Sequence, residues 1–135
     1  MENREELLTE VLKRVQRNYV HMVEIERVTK DLAEAMSRND QESVQLLMKM
    51  RQEEMEQFQE TKQEIRILVE AGGEEGEMIL SWLKGEERYE PKSFEAGKIK
   101  ELSGQLLQIL NRTISIDKVL NMKVTGKDSY YQSAQ

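Results

Sequence analysis

The chain has 135 residues, of which 34% are charged, 38% hydrophobic and 5% aromatic, a balance that suits one domain of long helices with narrow buried stripes and disfavours a broad core. With no cysteine and a single histidine, His21, it has no disulfide framework, thiolate zinc site, cysteine nucleophile or pair of imidazoles. A formal net charge of −6 argues against nucleic acid, whose binding depends on neutralising phosphate with a basic face.

The start, Met1-Glu2-Asn3-Arg4-Glu5-Glu6, is acidic and lacks the apolar stretch of a secretory signal. No run of about 18 apolar residues occurs, so membrane insertion is not expected and the cytoplasm is the expected location. The first 37 residues contain neither glycine nor proline and are rich in good helix formers. Asn39-Asp40-Gln41-Glu42 reads as a break and a new helix start, with Asn39 capping and Glu42 returning the bond. A second helix runs to Ala71 and stops at Gly72-Gly73. Met78-Ile79-Leu80 and Trp82-Leu83 make a short connector helix, and Gly85 and Tyr89-Glu90-Pro91 a loop after it. A third long helix is expected over 94–124, and residues 125–135 read as a mobile polar tail.

A heptad rhythm dominates. In the first helix it selects Val11, Val15, Asn18, Met22, Ile25, Thr29, Leu32 and Met36; in the second, Val44, Met48, Arg51, Met55, Phe58, Lys62, Ile65 and Val69. Folded back as an antiparallel hairpin about residue 40, the two sets pair layer by layer, and the polar exceptions meet as Thr29 with Arg51 and Asn18 with Lys62. Shared polar layers lower the cost of burying such groups and penalise slipped registers. The alternative is that Arg51 and Lys62 extend outward to solvent. The third helix repeats the rhythm at Ile99, Leu102, Leu106, Ile109, Thr113, Ile116 and Leu120, widened by Leu107, Leu110 and Ile114. It is expected to lie along a shoulder formed by Leu8, Leu12, Tyr19 and Val23 with Leu47 and Met50. The expected fold is therefore all-α: a long antiparallel coiled-coil hairpin (3–71), a connector (72–93) and a third amphipathic helix (94–124), together a single elongated three-helix bundle. Helices of about 35 residues would extend roughly 50 Å.

Catalysis is not expected. Carboxylates such as Glu53, Glu54 and Glu56 sit among basic residues as on any solvated helix face, which does not push their pKa values apart. No Glu-x-x-His pair exists for a di-metal bundle site, and His21 at the seam edge reads as hydrogen-bonded or solvent-facing. Gly72-Gly73-Glu74-Glu75-Gly76 lacks the Lys-Ser/Thr of a phosphate loop and has acidic flanks, so it reads as a helix end. No catalytic residue, metal or cofactor is expected. Binding is better supported, since eight methionines are many for this length and methionine adapts to apolar helices of varied sequence. At the seam positions Met22, Met36, Met48 and Met55, gap-filling is the plainer reading.

The long heptad hairpin with Met36-Ser37-Arg38-Asn39-Asp40 at its turn, Ala71-Gly72-Gly73 at its end, and the amphipathic stretch from Leu102 to Asn121 resembles the FlgN-type flagellar export chaperones over residues 5 to 123. That resemblance implies an ATP-independent chaperone of flagellar type III secretion. Such proteins bind the amphipathic C-terminal helix of hook–filament junction proteins and deliver it to the export gate. It further implies that Ile99, Leu102, Leu106, Leu110 and Ile114 are either client-facing or bundle-forming, and that Tyr130 and Tyr131 either dock at the gate or belong to an unengaged tail. A FliT-like chaperone of the filament cap protein is the same class with another client. A self-associating coiled-coil module is the alternative, with monomer and dimer both open.

Overall fold

A computed structural model describes the backbone of residues 2–124 and the side chains of residues 4–121. Four helices and no strands occur among the described residues: α1 (Glu2–Ser37), α2 (Gln41–Glu70), α3 (Gly73–Leu83) and α4 (Phe94–Val124). The class is all-α, and the element bounds fall close to those expected from the glycine and asparagine positions.

Local chemistry explains each boundary. At the first turn Asn39 takes a left-handed conformation, φ 57°. Its N–H donates to the Met36 carbonyl at 3.1 Å and that of Asp40 to the Ala35 carbonyl at 3.0 Å, which closes α1 in a Schellman motif. Asp40, not Asn39, then caps α2: its carboxylate accepts the Ser43 N–H at 3.2 Å and the Ser43 hydroxyl at 2.7 Å. The expected Asn39–Glu42 box is thus displaced by one residue, because Asn39 is the residue that tolerates the left-handed turn. The end of α3 repeats the motif, with Gly85 at φ 78° and the Glu86 N–H donating to the Ser81 carbonyl at 3.0 Å. Ser93 caps α4 by accepting the Ala96 N–H at 3.1 Å. Trp82, 2% exposed, ties down the loop between them by donating its indole N–H to the Tyr89 carbonyl at 2.9 Å.

Cross-helix contacts set the directions. Arg14 reaches Glu64 at 2.9 Å, Asn18 the Phe58 carbonyl at 3.1 Å, and His21 Nδ1 lies 2.8 Å from Glu54, so α2 runs opposite to α1. Ile99 packs with Val11 and Val15, Ile109 with Met22 and Ile25, and Arg112 pairs with Glu26, so α4 runs parallel to α1. Helix α1 is the common partner: α2 and α4 each pack closely along it and only lightly on each other, and α3 links them at the base. This explains why α1 buries its heptad set from Val11 to Leu32, with Met36 half-buried, while α2 buries only Arg51, Thr61, Ile65 and Val69.

Two apolar clusters make up most of the interior, with Val28, Leu32, Ala35 and Leu120 buried nearer the α1–α2 turn. The one at the base gathers Val11, Val15, Ile65, Val69, Ile79, Trp82 and Ile99; a smaller one above it gathers Met22, Ile25 and Ile109 with half-buried Tyr19, Met55, Phe58, Leu106 and Leu110. Between them each long helix contributes one buried polar residue: Asn18 from α1, Thr61 from α2 and Ser103 from α4. Asn18 does not meet Lys62 as expected. Lys62 is exposed, and Thr61 takes the buried position with no charge to desolvate. The same rotation leaves Met48 42% exposed, against its expected place opposite Leu32. Val23, expected on the shoulder, is 40% exposed.

The second polar layer holds as expected and acquires a third member. Arg51 donates to the Thr29 hydroxyl at 3.4 Å and pairs with Asp117 of α4; both charged side chains are 4% exposed. The Thr29 hydroxyl donates in turn to the Ile25 carbonyl at 2.7 Å. Each polar layer thus draws on all three long helices.

Candidate helix-binding groove

Burial along α4 follows Ala96, Ile99, Ser103, Ile109, Thr113, Asp117 and Leu120. Spacings of three and four remain except for a step of six between Ser103 and Ile109, where Leu106 is half-buried, and at two points the inward residue is one position later than the apolar pattern chose: Ser103 replaces Leu102 and Asp117 replaces Ile116. At Asp117 the cause lies in α1 and α2, which present Thr29 and Arg51 to this helix. A facing Asp117 satisfies Arg51, which a leucine or isoleucine cannot do. Having turned polar residues inward, α4 leaves much of its apolar surface at the side. Leu102, Leu106, Leu110 and Ile114 are all half-buried, one turn apart on a single row.

Of the five residues that the sequence marks on this helix, Ile99 is fully buried in the base cluster. Leu102 packs at the edge of that cluster, with Leu68 also at its edge. Leu106 and Leu110 lie with Met55 and Phe58 against the upper cluster. The row therefore borders the line where α4 and α2 approach each other, which is also where the long helices pack least closely. Leu107 is turned elsewhere, since a Cβ built on Gly85 would stand 3.1 Å from its Cδ1. Tyr130 and Tyr131 lie outside the described residues.

Ion pairs fix the phase of α4. Arg112 donates to both oxygens of the Glu26 carboxylate, at 2.9 and 3.2 Å, and Lys30 approaches the same group at 3.8 Å. The Arg112 guanidinium holds the Glu26 carboxyl below the usual carboxylate range, against an opposing push from burial. A carboxyl whose pKa falls on folding contributes stability above its unfolded value, and that contribution disappears as pH drops through the folded value. Urea unfolding is therefore expected to show a level midpoint from neutral pH down to about 5 and a fall below about 4.5. Glu10, lowered by Arg14, and Asp40, lowered by Ser43, add to that fall. Glu26→Gln should flatten part of it; an acid limb identical to that of the parent would show that the Arg112 pair does not act on stability.

His21 is hydrogen-bonded to Glu54 rather than placed among ligands, and among the described residues no three His, Cys, Asp or Glu side chains group as a metal site. No helix among the described residues is long and apolar enough to cross a membrane. The arrangement is suited to contact rather than to bond-making: a row of half-buried aliphatic side chains beside an adaptable methionine and a phenylalanine. Comparison with protein-family models, with curated proteins and with solved structures returned no match.

Proposed function

We propose that the protein is a helix-binding chaperone, a non-enzymatic cytoplasmic protein that holds an amphipathic helix of another protein against α4. The observation that carries this reading is the inverted burial of α4, in which Ser103, Thr113 and Asp117 are buried while Leu102, Leu106, Leu110 and Ile114 stay half-open. A helix that buries polar groups and leaves a leucine row at its flank is arranged for a partner; a client helix laying its apolar face there would use the helix-in-groove mode. In this proposal α1 and α2 form a coiled-coil hairpin that serves as the stiff back of an elongated three-helix bundle.

Resemblance to the FlgN-type chaperones supplies the client class. It points to the C-terminal helices of hook–filament junction proteins as cargo and to the flagellar export gate as destination, with Tyr130 and Tyr131 as gate-docking residues. The test is binding of a labelled peptide covering such a helix. The parent protein is expected to bind, and Leu106→Asp or Leu110→Asp to weaken binding by roughly 10- to 100-fold, the loss for an apolar anchor of about 1.5–3 kcal/mol. Helix content by circular dichroism should be unchanged. Absence of binding by the parent, or full binding by both variants, overturns the proposal.

The alternative, a self-associating module in which the leucine row pairs with its copy, rests on the same half-buried row. Light scattering separates the two readings: a mass that stays monomeric as concentration rises removes self-association.

A further inference from the structure

A second apolar feature lies at the opposite end from α3, beside the α1–α2 turn. Met36 and Val44 from the two sides of that turn, with Ile116, Val119 and Leu120 of α4, line a cleft of about 540 Å³. Asn39 and Gln41 stand at its rim, and none of its lining residues is charged although a third of the chain is. Val119 is 52% exposed there. This cleft is separate from the leucine row, with which it shares no residue.

We propose that in the free protein, before any gate engages them, Tyr130 and Tyr131 anchor the chain's own C-terminal segment, residues 125–135, in this cleft. Three observations single out this occupant. The first is reach. Helix α4 ends at Val124, which is about 12 Å along the helix axis from Ile116, and six further residues extend up to about 20 Å, so Tyr130 can return to the cleft. Gly126 stands where a reversal after the helix is needed, two residues beyond Val124. The second is charge. Within 125–135 the only charged side chains are Lys127 and Asp128, and they cancel, so the stretch around the tyrosines enters an uncharged cleft without an unpaired side-chain ion, as an acidic or basic partner could not. The third is side-chain type. Tyrosine combines a flat apolar ring with a hydroxyl that needs a polar partner, and the cleft offers an apolar floor with Asn39 and Gln41 at its edge. Docking would cover Val119 and tie the end of α4 to the turn.

The chain contains no cysteine, which gives a clean disulfide test on the full-length protein. With Ser37→Cys in the cleft and Gln132→Cys in the segment, mild oxidation is expected to form an intramolecular disulfide. Adding Tyr130→Ala and Tyr131→Ala should slow its formation roughly tenfold or more, because a docked segment has a high effective concentration and an undocked one does not. A rate indifferent to the two tyrosines, a product that links two chains, or no product at all overturns the proposal. Leu106 and Leu110 are untouched in these variants, so the outcome is independent of client binding.

Discussion

Asp117→Ala is expected to destabilise the fold by about 3–5 kcal/mol, the usual cost of removing one member of a buried ion pair. Arg51 is 4% exposed between α1, α2 and α4, so a guanidinium that has lost its carboxylate cannot reach bulk water without moving a helix. Arg51→Met should cost a comparable amount by removing the guanidinium from the buried carboxylate. The double change Arg51→Met with Asp117→Leu should cost much less than the sum, because both desolvated charges vanish and aliphatic side chains fill the space. Urea denaturation of the four proteins at neutral pH measures this cycle. A single-variant loss under about 1 kcal/mol would mean that the layer is open to water and contributes as a surface pair does.

Gly76→Ala is expected to lower stability by about 1–3 kcal/mol, although alanine in a helix interior normally improves on glycine by about 0.5–1 kcal/mol. The sign reverses because α3 crosses the end of α2 at backbone contact. A Cβ on Gly76 would stand 2.0 Å from the Val69 carbonyl oxygen and 3.0 Å from its carbon, so main chain and not a side chain must give way. Gly72 provides the comparison. A Cβ there meets Leu7 Cδ2 at 2.7 Å, the far end of a side chain that can rotate, and the Gly76 main chain at 3.2 and 3.3 Å, where a shift of a few tenths of an ångström suffices. Thermal melting should therefore rank parent, Gly72→Ala and Gly76→Ala in descending order, with the last several degrees below the first. Equal melting points for the two variants would show that α3 shifts freely on α2.

Helix extents were legible in the sequence because their causes are local. Asn39, Gly72-Gly73, Gly85 and Ser93 act within one turn of themselves, and the breaks fall beside them. The meeting of Thr29 with Arg51 was legible too, since a four-three rhythm folded about residue 40 places them together. What escaped was rotation. A rhythm that scores apolar residues selects Lys62, Leu102 and Ile116 by spacing, whereas burial selects Thr61, Ser103 and Asp117 one position away. Those small or paired polar residues look like surface when each helix is considered alone. For Asp117, only the presence of Arg51 on a facing helix makes it the better interior choice, and that information is tertiary. One signal was available: two polar seam residues in the hairpin demand a polar answer from any third helix, and Asp117 is the only carboxylate in the second half of α4.

The polar layer of Asn18, Thr61 and Ser103 also divides the molecule into two compartments in series. Separation of the helices that starts at the Asn39 turn exposes Leu32, the Arg51–Asp117 pair and the small cluster around Met22, Ile25 and Ile109 before it reaches that layer. Below it the larger compartment, clasped by α3 and Trp82, stays shut. Amide protons near the turn can therefore exchange through partial openings, while those around Val11, Ile65 and Ile99 exchange only when the whole chain unravels. In the proposed helix-binding role, the turn end would loosen around a partner while the base kept its shape.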